Sequence, residues 1–141
     1  MLSDHELLAL ARKARDNAYV PYSNFPVGAA VEMEDGRIFT GCNIENATYG
    51  ATVCAERVAI LTAVAAGARK IKRLAVVCTN TMPCMPCGIC RQVIAEFASE
   101  DLVCLCAPGP EPAAGETGDR VRRLSLDDLL PNRFAADALD Q

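Results

Sequence analysis

Three cysteines and one glutamate, divided between two short stretches, are the residues of this chain best suited to chemistry. Cys54-Ala55-Glu56-Arg57 is the first stretch, and Pro86-Cys87-Gly88-Ile89-Cys90-Arg91-Gln92 the second. Cys87 and Cys90 stand three residues apart across the start of an expected helix, so both sulfurs can reach one metal ion. Cys54 opens another expected helix. Thiolates at helix N-termini are favoured by the aligned peptide dipoles, which lowers their pKa and prepares them as ligands. If the two helix starts face one spot, Cys54, Cys87 and Cys90 make a three-sulfur set. Such a set suits one Zn2+ per chain and leaves a fourth position for water.

Three thiolates on one zinc leave a net charge of −1, which weakens the metal as an acid toward water. Arg57, together with two helix dipoles of about half a charge each, restores positive potential there. Glu56 lies two residues from Cys54, beside the expected water, and is placed to shuttle protons rather than to ligate. Two other readings compete. Cys84 could complete a closed four-sulfur structural site, or pair with Cys87 as a redox dithiol. The closed site gives Glu56 no role, and a chain of this size has enough core to fold without a metal staple. Cys42, Cys78, Cys104 and Cys106 fall on apolar strands and read as core residues without chemistry.

The elements that must position these groups follow from patterning. Leu2 to Ala18 is an amphipathic helix with a Ser3/Glu6 capping box; His5 in its first turn reads as a surface residue. Pro21 to Pro26 is an ordered loop. Val27–Met33 and Arg37–Ile44 are strands joined by a Glu34-Asp35-Gly36 turn. A polar loop over Asn43 to Gly50 leads to a helix over Val53 to Ala66. That helix is so apolar that burial on most sides is expected. Leu74–Thr79 and Leu102–Cys106 are buried strands on either side of a helix over Cys87 to Ala98. Such alternation implies parallel pairing with right-handed crossovers. Ala107 to Asp119 is a long exposed loop, Arg120–Leu124 an edge strand, Leu126–Leu130 a short helix capped by Ser125, and residues 135–141 a tail. The fold expected is a three-layer α/β domain spanning 1–141, its mixed sheet of about five strands carrying helices on both faces.

Composition narrows the partners. The 141 residues are 51% hydrophobic and 23% charged, with a net charge of −4 and no basic block beyond Lys70 to Arg73. That argues against nucleic acid or an anionic membrane as the main partner. No apolar run reaches membrane-spanning length, and the N-terminus lacks a leader pattern, so the cytoplasm is the compartment expected. Eight cysteines in such a chain favour metal or catalytic use over a disulfide framework.

Cys54-Ala55-Glu56 followed by Pro86-Cys87-Gly88-Ile89-Cys90 resembles the zinc deaminase signature, in which the glutamate is the acid/base and the later cysteines are ligands. With cysteine as the first ligand, the chain is similar to the small homotetrameric cytidine deaminases. Tyr22 to Ala30, Gly41 to Ala47, Tyr49-Gly50 and Leu129-Leu130-Pro131 also look like that family's segments. Met85 and Ile89 depart from its usual residues. The resemblance implies a cytidine deaminase-like fold and hydrolytic deamination of cytidine and deoxycytidine to the uridines in pyrimidine salvage. It implies attack of metal-activated water at C4, with Glu56 carrying protons to N3 and to the leaving ammonia. It assigns Asn43 and Glu45 to the ribose 3′-hydroxyl, Phe25 and Tyr49 to the nucleoside, and Phe134 to a site on a neighbouring subunit of a homotetramer. A deaminase of another nucleoside and a non-enzymatic zinc module are the alternatives.

Overall fold

The computed structural model describes residues 2–111 and 120–139. One sheet organises them. Its strands are β1 (Gly28–Met33), β2 (Ile38–Cys42), β3 (Ile71–Val77), β4 (Ala98–Ala107) and β5 (Arg122–Leu124), in the order β2-β1-β3-β4-β5. Helix α1 (Asp4–Arg15) covers one face. Its Leu7, Leu8 and Ala11 pack on Ala30, Ala75, Val77 and Leu105. Helices α2 (Ala55–Ala65), α3 (Gly88–Phe97) and α4 (Leu126–Leu129) contribute to the larger core on the other face. There Ala59, Ile60, Ile94 and Leu129 meet Val31, Leu74, Val76 and Cys104. The three layers and five strands agree with the patterning.

Topology differs from the simple alternation in one respect. β3 and β4 are adjacent and parallel, whereas β1 pairs antiparallel with both β2 and β3. The connection through α2 therefore joins strands that run the same way but have β1 inserted between them. Boundaries also move. α1 stops at Arg15 because the next three amides bond three residues back, tightening the chain before Tyr19 bridges to Ile44. β3 begins at Ile71, three residues earlier than the apolar run, because Arg73 is matched in register with Glu32 of β1 and bonded to it. β4 extends back to Ala98, with Glu100 and Asp101 exposed.

Close approach of helix to sheet explains two glycines. A Cβ on Gly28 would collide with the Ala11 carbonyl of α1. One on Gly41 would lie 2.5 Å from the Ala59 nitrogen and 2.7 Å from the Ala55 oxygen. Gly41 thus lets the first turns of α2, which carry Glu56, lie directly on β2. α2 itself is not buried on most sides as its composition implies: Ala55, Ala59, Ile60 and Ala63 are covered, but Leu61 is half exposed. Of the loop expected over 107–119, Pro110 and Glu111 are exposed. Ala107, Pro108 and Gly109 are buried, and Arg12 and Arg15 donate to the carbonyls of Pro108 and Gly109. Residues 112–119 of that loop, and 140–141 of the tail, lie outside the described residues. Ala136–Leu139 forms a 3-10 turn.

Candidate metal centre and active site

Cys54 is the N-cap of α2 and Cys87 the N-cap of α3; neither side chain is used in capping. Cys90 lies in the first turn of α3. The sulfurs of Cys54, Cys87 and Cys90 all lie within 4.8 Å of one another, and Cys54 Sγ is 3.7 Å from Cys87 Sγ. A tetrahedral zinc with bonds of about 2.3 Å sets its sulfur ligands roughly 3.8 Å apart, so the cluster fits that ion. Two helix N-termini converge on it, and Arg57 adds a full charge. Its Nη2 donates to Cys54 Sγ over 3.6 Å and to the Thr52 carbonyl over 3.4 Å, while its buried Nε has no protein partner.

The protonation of these groups reflects that crowding. A hydrogen bond from Cys90 draws the Cys54 thiol down to about 5, and Arg57 reinforces the effect. Cys90, the donor, is held above the ordinary thiol value by the same pairing. Metal binding removes the remaining thiol protons, as ligation requires. Glu56 is only 4% exposed. Burial raises its carboxyl to about 7, and the negative charge of Cys54 adds to the shift. A carboxyl that exchanges its proton near neutrality is suited to general acid/base work.

The residues expected to hold a nucleoside lie outside the α-helices, most of them near Ile44, which bridges to Val53 beside Cys54, and their bonds within the chain are now visible. Asn43 Oδ1 accepts from the Val27 amide over 2.9 Å, and its Nδ2 donates to the Phe25 carbonyl over 2.8 Å. Glu45 Oε1 accepts from the amides of Tyr22 and Ser23, over 3.0 and 3.1 Å; the Ser23 side chain first, and these amides with it, hold its carboxyl below the ordinary value. These side chains therefore shape the Tyr22–Val27 loop. Glu45 and Tyr49 line a cavity of about 380 Å³ with Tyr22, Ser23 and Thr52. Phe25 is half-buried, whereas Tyr49 and Phe134 are largely exposed. Tyr22, Ser23 and Thr52 carried no site assignment from sequence. The Glu45 carboxylate two residues after Asn43 was the available signal that this loop needed an acceptor for its amides.

Cys84 is corrected in both of its alternative roles. It forms a disulfide with Cys78 at the end of β3, so it neither completes a four-sulfur site nor pairs with Cys87. Cys78, expected to be an inert core residue, is its partner. Cys104 and Cys106 are buried as expected, with sulfurs 3.8 Å apart, and Cys42 is half-buried.

Comparison with known proteins agrees with this geometry. The cytidine and deoxycytidylate deaminase zinc-binding region matches residues 1–106. A cytidine deaminase of Sporosarcina psychrophila is 47% identical over 134 residues, covering 95% of this chain and 93% of its own. One from Mycobacterium tuberculosis is 40% identical over 129 residues, covering 92% and 87%. The crystal structure of the Burkholderia pseudomallei cytidine deaminase superposes with a TM-score of 0.83 at 44% identity, over 94% of this chain and all of that one. With zinc the metal that its three sulfurs fit, the chain belongs to the cytidine and deoxycytidylate deaminase family.

Proposed function

We propose that this protein, acting as a single domain, catalyses the zinc-dependent hydrolytic deamination of cytidine and deoxycytidine. The products are uridine or deoxyuridine and ammonia, which places the reaction in pyrimidine salvage. The observation that carries the reading is the convergence of Cys54, Cys87 and Cys90 beside a buried carboxyl that titrates near pH 7. Zinc on these thiolates supplies the Lewis acidity that lets water add to C4 of the base at neutral pH. Glu56 accepts a proton from that water, delivers it to N3, and assists departure of the exocyclic amine as ammonia. Arg57 offsets the surplus charge of three thiolates. Glu45 and Asn43 hold the Tyr22–Val27 loop and face the ribose 3′-hydroxyl with the valences left over. Phe25 and Tyr49 pack on the nucleoside.

The assembly that suits this reading is a homotetramer with shared sites. Ile44, Leu61 and Phe134 are exposed on the described surface, and α2 presents Leu61 where a second copy would cover it. Phe134 of one copy then reaches the base in a neighbour's site. Among the described residues no helix is long and apolar enough to cross a membrane. Three ligand thiols that must stay reduced favour the cytoplasm as the working compartment, against the Cys78–Cys84 disulfide, which an oxidising compartment favours. The test is ammonia and uridine formation from cytidine, with deoxycytidine in parallel. Product should form in equal amounts of the two, stop when a chelator removes zinc, and return with zinc. Retention of zinc without ammonia release from either nucleoside would refute the reading.

A further inference from the structure

Arg91 directly follows the ligand Cys90 and directs its guanidinium at carbonyls from two different parts of the chain. Its Nε donates to the Pro86 oxygen over 2.8 Å, and its Nη1 to the Leu129 oxygen over 2.7 Å. The Pro86 oxygen belongs to the peptide plane that ends at the Cys87 nitrogen. Leu129 is the last residue of α4, where carbonyls have no partner within the helix. One residue further along α3, Gln92 Nε2 donates to the Phe134 oxygen over 2.9 Å. The helix that starts with two metal ligands therefore also holds the 129–134 segment at two points.

This arrangement acts on the ligand least constrained by its surroundings. Cys87 is exposed and makes no capping hydrogen bond. As an N-cap, its backbone precedes the helical ladder, so the ladder does not fix the peptide in front of it. Rotation of that peptide would swing Cys87 Sγ away from Cys54 Sγ, 3.7 Å distant. A planar guanidinium with two fixed N–H vectors resists such rotation in a way that a flexible ammonium does not.

We propose that Arg91 is a positioning residue that aims Cys87 at the metal and ties that aim to the seating of the 129–134 segment. The inference rests on the zinc reading above. A purely stabilising role predicts a lower melting temperature and nothing at the metal. Arg69 is the matched control, because its Nη1 also donates to two carbonyls, those of Val64 and Ala68, at the far end of α2.

The experiment loads the full chain with zinc and follows its release to an excess of a chromogenic chelator, well below the melting temperature of each variant. Arg91→Gln should release zinc roughly 10-fold faster than wild type, as expected for loss of a contact that orients a ligand. Arg91→Lys, able to hold one carbonyl at a time, should fall between, and Arg69→Gln should match wild type. Release from Arg91→Gln no faster than from Arg69→Gln overturns the proposal. If Arg91→Gln does not fold, Arg91→Lys decides: faster than wild type supports the proposal, and an equal rate overturns it. A wild-type chain that takes up no zinc would refute the zinc reading before any variant is compared.

Discussion

Glu32 and Glu56 are the same residue type, 5% and 4% exposed, on the same side of the chain's solvent boundary, yet they titrate in opposite directions. Glu32 meets Arg73 in a two-pronged pair, with 2.8 Å from Nε to Oε1 and 3.0 Å from Nη2 to Oε2. That pairing holds its carboxyl below the ordinary value. Arg73 also bonds Asp4 and the Leu2 carbonyl, and Arg123 bonds Asp4 in turn, so the cluster ties α1 to β1, β3 and β5. Near Glu56 the guanidinium of Arg57 is directed at Cys54 sulfur, and burial raises the carboxyl to about 7. Burial alone is therefore uninformative about role. A carboxylate clasped by a guanidinium serves the fold, whereas one raised by burial beside the metal cluster is the kind that acid/base chemistry can use.

The largest effect expected is at the metal. Cys87→Ser should lose zinc and, with it, all measurable activity. Cys84→Ser should keep one zinc per chain, because Cys84 is bonded to Cys78 outside the cluster. Metal analysis of the two variants checks this, and an empty Cys84→Ser site would return Cys84 to the ligand set.

Breaking the clasped pair comes next. Glu32→Gln should lower stability by about 1–3 kcal/mol, the cost of leaving a part-buried guanidinium short of one partner. Because the folded carboxyl titrates below its unfolded value of about 4.3, its contribution is present above that pH and lost as pH falls through the folded value. Denaturant melts should therefore show wild type and Glu32→Gln converging in acid. A gap that stays constant down to pH 2 would remove the pair from the acid response.

A smaller effect is expected at Arg57. Arg57→Gln removes a charge next to Cys54, so kcat should fall and its pH dependence move upward by on the order of one unit. An unchanged profile would make Arg57 a packing residue. The smallest is Phe134→Ala, which should raise KM for cytidine about 2- to 12-fold, the loss of about 0.5–1.5 kcal/mol from one aromatic contact, with kcat preserved. Mixing it with inactive Glu56→Gln chains should restore some low-KM sites. If it does not, Phe134 acts within its own subunit.

The placement of the three cysteines and of Glu56 was legible in the sequence because helix starts are local: spacing fixes where Cys54, Cys87 and Cys90 stand on their own turns, and only the meeting of two helices had to be assumed. The capping box of Ser3 and Glu6 was legible for the same reason, and both its bonds are formed. What stayed hidden depends on contacts between distant residues. Arg73 counted in the sequence only as part of a short basic run, because its pairing with Glu32 needs β1 beside β3. The disulfide of Cys78 required β3 to end where the following loop turns back, which no apolar pattern encodes. Arg91 carried no role in the sequence, because its second partner lies 38 residues away. Asn43 and Glu45 were expected to face a ligand, and their bonds to the neighbouring loop appear only once that loop is placed.

The contrast between the two carboxyls is tested most directly by comparing Glu56→Gln with Glu32→Gln, both loaded with zinc. Each is assayed for ammonia release from cytidine, zinc content and thermal stability. Glu56→Gln should keep its zinc and its fold and lose about 10²–10⁴-fold in kcat, whereas Glu32→Gln should melt earlier with kcat close to wild type. A Glu56→Gln enzyme that retains near-normal kcat would contradict the account.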